Sequence, residues 1–416
     1  MLLRHMCARW NNSYDPDIII KDLKKIRETG SDGTVSLDIF LFDDLLSIIF
    51  SSIYFEHDLT QEDRYQIIDE SIKETLKHAK QSAKALIAKI SKKENKIAEI
   101  KPKSYVLVTN LSFKYFDSLR KILIDDATIK FTEHFPNNYV RKLRDEARQS
   151  ITTVHHPLFY TWVQVHIKAR TISESFSRGI SALNLLRALW NFPLNHSLYH
   201  SKTFGRNTEP INRILTGPIH TLHNKDGSLA TDMWWYDLEY IKPVNPMNLE
   251  VEWNKVKKFE EYYRKNQTKT HYSQHIVDSL QIYVQALDER NMHTCFLKLW
   301  GALEKLTGIK EGGTVKNLIR RTSFFFKDAK FHSQVLNHLK DYRNRAVHHS
   351  ENSKEIRTIV FQLKAYIEAV LNYTINLSSD FAGIEEFFQF ADTSSEILEI
   401  EKQMKRLKLA KNFRKS

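Results

Sequence analysis

The longest run of helical periodicity in the chain lies between residues 64 and 98. Apolar residues recur there at three- and four-residue spacing, and the opposite face is rich in Lys and Glu. The apolar positions are Ile68, Ile72, Leu76, Ala79, Ala83, Leu86 and Ile90. Glu62 and Asp63 precede them, where acidic side chains interact favourably with the helix dipole. The pattern predicts one long helix that packs its apolar face on a core.

Around this helix, the sequence indicates further helices and a few strands. The most hydrophobic window, residues 37–55, contains three aspartates, which favour a buried amphipathic helix over a membrane span. Residues 105–113 are rich in β-branched side chains and predict a strand, and residues 127–132 predict a second. Residues 139–192 return to a helical pattern. We therefore expect residues 1–192 to form a mostly helical region with a small β element.

Residues 193–269 have a looser pattern. Five of the nine prolines fall between residues 193 and 246, which favours irregular structure and a domain boundary in or just after this stretch. Trp234, Trp235 and Tyr236 are adjacent here. Such a cluster can stack on unpaired bases, although aromatic clusters more often belong to a core or an interface. We expect residues 193–269 to connect two regions.

From residue 270 onwards the helical pattern is regular. We predict helices at 273–289, 292–307, 314–325, 331–347 and 353–376, with Gly308, Gly312 and Gly313 separating the second from the third. Short loops favour antiparallel neighbours, so residues 270–378 should form a helical bundle. Residues 379–416 should add a docking helix and a basic tail. The predicted fold class is mainly α, with a C-terminal helical bundle preceded by a mostly helical α+β N-terminal region.

Composition and charge narrow the function classes. With 416 residues and 42% apolar side chains, the chain can build two or three packed domains. Cys7 and Cys295 provide neither a disulfide framework nor a metal cluster, and the N-terminus lacks a signal-peptide pattern. A cytoplasmic protein is expected. The net charge of +12 favours polyanionic partners, nucleic acid above all.

The C-terminal tail contributes to this charge. Residues 402–416 contain seven Lys or Arg and no acid. The tail is either a solvated helix end or an arm that contacts RNA.

One short segment combines the groups that metal-independent RNA cleavage requires. Residues 343–349 read Arg-Asn-Arg-Ala-Val-His-His and close a predicted helix. A neutral histidine can take a proton from the ribose 2′-hydroxyl or return one to the leaving oxygen. An arginine can hold non-bridging phosphate oxygens in two places. We therefore assign His348 as the acid–base group, Arg343 as the phosphate clamp and Asn344 as a positioning group.

This segment resembles the R-N-x-x-x-H signature of HEPN domains, a helical family of ribonucleases and RNA-processing factors. About forty residues upstream, residues 296–304 read Phe-Leu-Lys-Leu-Trp-Gly-Ala-Leu-Glu, which is similar to the second helix of Apea-like HEPN domains. The resemblance covers about residues 270–378. It implies a symmetric homodimer that brings two Arg and two His into one cleft, and a role in prokaryotic defence against phage.

The resemblance also suggests supporting residues. Glu304 matches a family acid that orients the arginine or the histidine, although an ordinary surface glutamate explains it nearly as well. His349 could replace His348, because one residue of uncertainty at the helix end decides which imidazole points inward. Arg345 is a surface charge or a further RNA contact. No cofactor and no metal are expected.

The spacing of Arg343 and His348 raises a geometric question. Residues five apart lie about 140° apart around an α-helix, so these two would not share a face. Either the helix unwinds near Ala346 or the site is built across two chains. We expect the second, in a C2 homodimer.

Other interpretations stay open. Arg and His near a helix C-terminus also stabilise the helix dipole, so the segment could be a capping cluster. Similar Arg–His pairs occur by chance at Arg148 with His155, Arg213 with His220 and Arg264 with His271. His155 and His156 lack partners at metal-ligand spacing, and no P-loop, dinucleotide-binding or nucleophile-elbow motif occurs.

The leading expectation is a HEPN-type RNA endonuclease, a phage-defence or toxin-like effector, controlled through its N-terminal region by a phage-derived or protein trigger. The first alternative is a non-catalytic protein whose basic helical module binds RNA or a partner. The second is a helical scaffold that does not bind nucleic acid. Neither requires a membrane.

Overall fold

Most of the chain folds into helices, and one six-stranded sheet contains most of the strand residues. The computed structural model describes residues 8–29, 35–77, 82–119, 121–151, 155–196, 198, 210–237, 240, 242–308, 314–349 and 355–414. Fourteen helices lie within these ranges. The predicted fold class, mainly α with a smaller β part, is confirmed.

The first eight elements surround a hydrophobic core of their own. They are β1 (Arg9–Trp10), α1 (Pro16–Lys25), β2 (Arg27–Thr29), β3 (Val35–Leu37), α2 (Ile39–Ser52), β4 (Ile53–Tyr54), α3 (Gln61–Leu76) and α4 (Ala83–Ala98). Helix α2 confirms the amphipathic helix predicted within 37–55, because Phe42, Leu46 and Ile49 are buried while Phe40 is exposed. The Asp38 carboxylate accepts from the Phe40 backbone N–H at 3.1 Å and caps this helix.

The single long helix predicted from residues 64–98 is wrong, because the structure has α3 and α4 there instead. Lys77 ends α3, and Ser82 adopts an extended backbone before α4. The Ser82 hydroxyl accepts from the Ala85 N–H at 3.2 Å, as an N-cap does. Two helices that fold back on each other can bury both apolar faces, which one straight helix could not. Ala79 lies outside the described residues.

The central sheet is antiparallel throughout, with strand order β10-β9-β5-β8-β7-β6. Its strands and the two helices between them are β5 (Lys103–Leu111), β6 (Ile122–Ile124), β7 (Ala127–Thr132), α5 (Lys142–Ser150), β8 (Thr161–Ala169), α6 (Ile172–His196), β9 (Ile219–Asn224) and β10 (Leu229–Tyr236). Both predicted strands are confirmed, as β5 and β7.

Two sequence interpretations of this region are wrong. Residues 139–192 are not continuously helical, because β8 crosses the middle of the sheet between α5 and α6. Residues 193–269 are not an irregular connection, because they contain β9 and β10, and β9 pairs directly with β5. The β component is therefore a six-stranded sheet, larger than the two strands that the sequence predicted. The division into domains stays a prediction.

Helix α6 joins the sheet to the helices that follow it. Gly179 permits a close approach, because a Cβ at this position would lie 2.9 Å from Ile167 Cδ1 on β8. Further along α6, Trp190 is fully buried and stacks on Phe131 of β7 with ring centroids 5.6 Å apart. The same core continues into the C-terminal helices, so the sheet and the bundle share one hydrophobic interior.

The C-terminal part is a helical bundle, as predicted. Its helices are α7 (Leu249–Gln267), α8 (Ser273–Leu287), α9 (Met292–Leu306), α10 (Val315–Phe324), α11 (Ala329–His349), α12 (Ile356–Asn376), α13 (Ile384–Ala391) and α14 (Ile397–Phe413). Helices α8 to α12 match the five predicted helices within three residues at each end. Gly308 has φ +72°, a backbone conformation that glycine adopts without strain after α9.

The predicted docking helix exists as α14. None of its residues is buried, so within the described chain it does not dock. Its start is linked to α11 by an exposed ion pair in which Lys330 Nζ lies 3.1 Å from Glu396 Oε1. No helix among the described residues combines the length and the apolar character that crossing a bilayer requires.

Candidate active site at the end of helix α11

Helix α11 is held in the bundle by one apolar face. Leu336, Leu339 and Tyr342 are buried on this face. The Tyr342 ring meets Phe296 of α9 edge to face at 4.9 Å, and its hydroxyl lies 2.7 Å from His293 Nδ1. An aromatic ring with a satisfied hydroxyl is a strong anchor in a core. The residue before Arg343 is therefore fixed against α9.

The motif begins one residue after this anchor. Arg343 is half-buried, whereas Asn344 and Arg345 are exposed. The Arg343 Nη1 donates to Asn344 Oδ1 at 3.5 Å, a long and weak hydrogen bond. The guanidinium is therefore positioned at the edge of the buried face, where it can still reach an anion in solvent.

The backbone of α11 continues as a helix through His349. The alternative in which the helix unwinds near Ala346 is therefore wrong, and Ala346 packs against the hydrophobic core. In an unbroken helix, positions 343 and 348 lie about 140° apart. The side chains of His348 and His349 lie outside the described residues, so the choice between them stays a prediction.

Glu304 lies on α9, which packs against α11. Its carboxylate accepts a hydrogen bond from the Trp300 indole Nε1 at 2.8 Å, one helical turn away. No ion pair within 4.0 Å joins Glu304 to Arg343, although the structure describes both side chains. Within one chain, the described contacts of Glu304 orient Trp300. A role for Glu304 in orienting Arg343 stays a prediction.

His293 is the residue of this site that the sequence analysis missed. It stands at the start of α9, where the Asn291 side chain caps the helix by accepting from the His293 N–H at 2.9 Å. Its imidazole is half-buried and stacks on Tyr342 with centroids 6.2 Å apart. The contact joins residues 49 positions apart, so no local spacing could reveal it.

Residues in or beside the three chance Arg–His pairs are engaged in contacts within the fold. His220 is buried with its Nδ1 2.8 Å from Thr109 Oγ1, and burial lowers its pKa to about 3. Arg264 binds Glu260 at 2.8 Å and the Leu123 carbonyl at 2.8 Å. His156, next to His155, contacts the Arg148 carbonyl at 3.3 Å, and burial lowers its pKa. His220, Arg264 and His156 thus make contacts that stabilise the fold.

The aromatic cluster of β10 is also engaged within the chain. Trp235 stacks on Phe176 of α6, with centroids 4.1 Å apart and planes 11° apart. Trp234 and Tyr236 lie on the other face of the strand, where they pack on Ile219 and α5. This arrangement favours packing over base stacking.

A second group of charged residues lies inside the bundle, and we call it the Lys364 cluster (Lys364, Glu368 and Tyr283). Lys364 Nζ lies 2.9 Å from Glu368 Oε1 and 2.8 Å from the Asn195 carbonyl. The Tyr283 hydroxyl donates to the same carboxylate, and burial together with Glu368 raises the Tyr283 pKa well above its usual value. All three side chains are at most 3% exposed, so no substrate can reach them.

Comparison of the chain with protein-family models, with curated proteins and with solved structures finds no match. Among the described residues, no group of three or more His, Cys, Asp or Glu side chains could hold a metal ion. The site at the end of α11 is therefore interpreted from its own residues.

Proposed function

We propose that this protein is a metal-independent RNA endonuclease of the HEPN type. One observation carries the proposal: a bundle helix anchored through Tyr342 presents Arg343 and Asn344 at its accessible end, with His348 in the same helix. The Lys364 cluster and the His220 contact place their titratable groups in the interior instead. We therefore propose the end of α11 as the place where Arg343, Asn344 and His348 contact a polyanion.

The proposed reaction is a transesterification. His348 takes the proton of a ribose 2′-hydroxyl, and the 2′-oxygen attacks the adjacent phosphorus. The bond from phosphorus to the 5′-oxygen breaks, and that oxygen receives a proton from the protonated His348, which thereby returns to its neutral form. Arg343 holds the non-bridging oxygens, where negative charge develops, and Asn344 orients the phosphate. The products carry a 2′,3′-cyclic phosphate and a 5′-hydroxyl.

The unbroken helix supports a site that two chains share. Because positions 343 and 348 face about 140° apart, one protomer cannot direct both groups at one phosphate. In a C2 homodimer, Arg343 of one protomer can lie opposite His348 of its partner, and symmetry generates the site twice. The resemblance to HEPN domains implies the same arrangement.

The N-terminal region is proposed to control this activity. Residues 8–97 enclose a hydrophobic core that is separate from the core of the sheet and bundle. Two hydrogen bonds at their junction are Arg170 Nη2 to the Asp58 carbonyl and Thr171 Oγ1 to Asp63 Oδ2, both 2.9 Å. A unit with its own core can bind a trigger without unfolding the bundle. We propose that this trigger is phage-derived or a host protein. The whole protein would then be a cytoplasmic effector of the toxin-like or phage-defence type.

A second candidate function is non-catalytic binding of RNA or a partner. The same 140° offset favours it if the protein acts as a monomer, because Arg343 and His348 then cannot cooperate. Arg343 and His348 would instead stabilise the C-terminal end of α11 through its dipole.

Cleavage of labelled RNA distinguishes the nuclease from a protein that only binds RNA or a partner. Wild type, Arg343→Ala and His348→Ala are compared with EDTA present, and Lys327→Ala, an exposed change on the loop before α11, is the matched control. The nuclease predicts cyclic-phosphate ends from wild type and Lys327→Ala only. Equal cleavage by all four proteins, or cleavage that EDTA abolishes, contradicts the proposal.

A further inference from the structure

A polar groove runs along the outer side of α11, between this helix and α10. Its volume is about 1080 Å³, and residues 392–395 close one side. The side chains that matter here are Lys316, Arg320, Lys330, Gln334, Asn337 and Lys340. We call this surface the α10–α11 groove. Its lining supplies four cations and two amides, the groups that hold phosphate and ribose oxygens.

The groove carries excess positive charge. Asp392 is the only acid among the described residues of its lining, and its Oδ1 lies 2.7 Å from Arg320 Nη2 and 2.8 Å from Arg321 Nε. Lys330 and Lys340 pair with acids just outside the lining, Glu396 and Asp341, at 3.1 and 3.3 Å. The Lys330 and Glu396 side chains are 88% and 60% exposed. Exposed ion pairs of this kind contribute at most about 1 kcal/mol, so phosphate groups can displace their acids.

The groove leads towards the motif. Asn344 lies four residues after Lys340 and seven after Asn337, so helical repetition puts Asn337 and Asn344 within about 20° of the same line along α11. Position 348 follows Asn344 by one turn, about 40° further round. Asn337, Asn344 and position 348 therefore lie along the outer face of α11, the face opposite its buried residues Leu339 and Tyr342.

We propose that the α10–α11 groove binds the sugar–phosphate backbone of single-stranded RNA next to the scissile phosphate. This inference rests on the proposed function for the cleavage step and adds the path that the substrate follows. A cationic groove that tracks one strand is a common way to bind single-stranded nucleic acid. An acidic protein is a poorer fit, because protein interfaces depend on buried aromatic and aliphatic anchors, and only three of the fifteen lining residues, Ile319, Phe324 and Ala329, are apolar.

Salt dependence tests the groove quantitatively. Full-length protein with His348→Ala, which blocks turnover, binds a labelled single-stranded RNA while anisotropy is measured over a range of salt concentrations. The groove variant adds Lys316→Gln, Lys330→Gln and Lys340→Gln. The matched control instead adds Lys255→Gln, Lys257→Gln and Lys258→Gln, three exposed lysines of α7. Both sets remove three charges.

Each phosphate contact on a single strand contributes about 0.7 to the slope of log affinity against log salt. The slope of the groove variant should therefore be smaller by about 2 units. Relative to its parent, the variant should then lose about 100-fold in affinity for each tenfold decrease in salt below 1 M. The control should keep the slope of the parent. Equal losses in the two triple variants would overturn the proposal, and so would polyglutamate competing as well as unlabelled RNA, which would indicate an acidic protein ligand.

The two proposals fail differently. If the groove proposal alone is wrong, the motif variants still lose cleavage while the groove variant binds normally. If the nuclease proposal alone is wrong, wild type cleaves nothing while the groove variant still loses its salt-dependent binding. In a background with intact His348, the groove variant should cleave dilute RNA more slowly than wild type, because it binds the substrate more weakly.

Discussion

The end of α11 and the Lys364 cluster both contain charged and polar side chains, but these side chains differ in their exposure to solvent. In the Lys364 cluster, lysine, glutamate and tyrosine satisfy one another inside the bundle, at most 3% exposed. At the end of α11, the one hydrogen bond of Arg343 to a described residue is the 3.5 Å contact with Asn344. The buried Lys364 cluster contributes to stability and not to binding, because a charge removed from water must keep its partners. Partial exposure leaves Arg343 able to exchange its weak contact with Asn344 for a contact with a phosphate.

The largest expected effect is on catalysis at Arg343. Arg343→Ala should lower the rate of RNA cleavage about 10²- to 10³-fold, because a positioned donor to the developing negative charge is lost. The midpoint of urea unfolding should hardly change, since the hydrogen bond of Arg343 to a described residue is weak. Arg345→Ala, a neighbouring exposed arginine, serves as the control and should lose less than tenfold. Equal losses at both positions would mean that Arg343 contributes only general charge.

In the Lys364 cluster the corresponding change should affect stability. Glu368→Ala leaves Lys364 buried without its carboxylate, so unfolding free energy should fall by about 3–5 kcal/mol in urea titration. The exposed helical pair Lys73–Asp69, 2.8 Å apart, is the control, and Asp69→Ala should cost less than about 1 kcal/mol. Similar losses from both substitutions would remove the distinction between buried and exposed groups.

A pH dependence should distinguish the folded interior from the exposed site. Burial lowers the pKa of His220 to about 3, below its unfolded value of 6.5. Below pH 6.5 the unfolded chain binds a proton that the native His220 does not, so stability falls as pH falls towards 3. One such group contributes a slope of about 1.4 kcal/mol per pH unit. Denaturation of His220→Gln between pH 6 and 4 should show a slope smaller by that amount, and an unchanged slope would contradict the shift.

The smallest expected effect is at Glu304. Glu304→Gln keeps an oxygen for the Trp300 indole, now 2.8 Å away, and removes the negative charge. The free energy of unfolding should therefore change by less than about 1 kcal/mol, the contribution of one neutral hydrogen bond. If the family role of this acid applies, cleavage should fall by less than tenfold through a misplaced Arg343. A much larger decrease would make Glu304 a participant in proton transfer.

The sequence predicts helices better than contacts. Helices α8 to α12 follow from periodic apolar positions and from glycine at helix ends, because these signals are local. Strand β8 also had a local signal: Val163, Val165 and Ile167 point to the core, and His166 and Lys168 alternate with them. The helical pattern predicted for residues 139–192 did not take account of this alternation.

The missed features depend on distant partners. The split between α3 and α4 follows from the Ser82 cap inside a continuous apolar pattern. Strand β9 pairs with β5 more than 100 residues earlier. At the site, the motif and its position at a helix end were predictable, but the Tyr342–His293 contact and the α10–α11 groove arise from packing between separate helices.

The central claim is that Arg343 of one protomer works with His348 of its partner. Mixing Arg343→Ala with His348→Ala protein, after subunit exchange, tests it directly. A mixed dimer then contains one intact site of two, and random exchange makes half of the dimers mixed. Cleavage of RNA in EDTA should therefore return to about one quarter of the wild-type rate. A mixture as inactive as each variant alone would contradict a site shared between two chains.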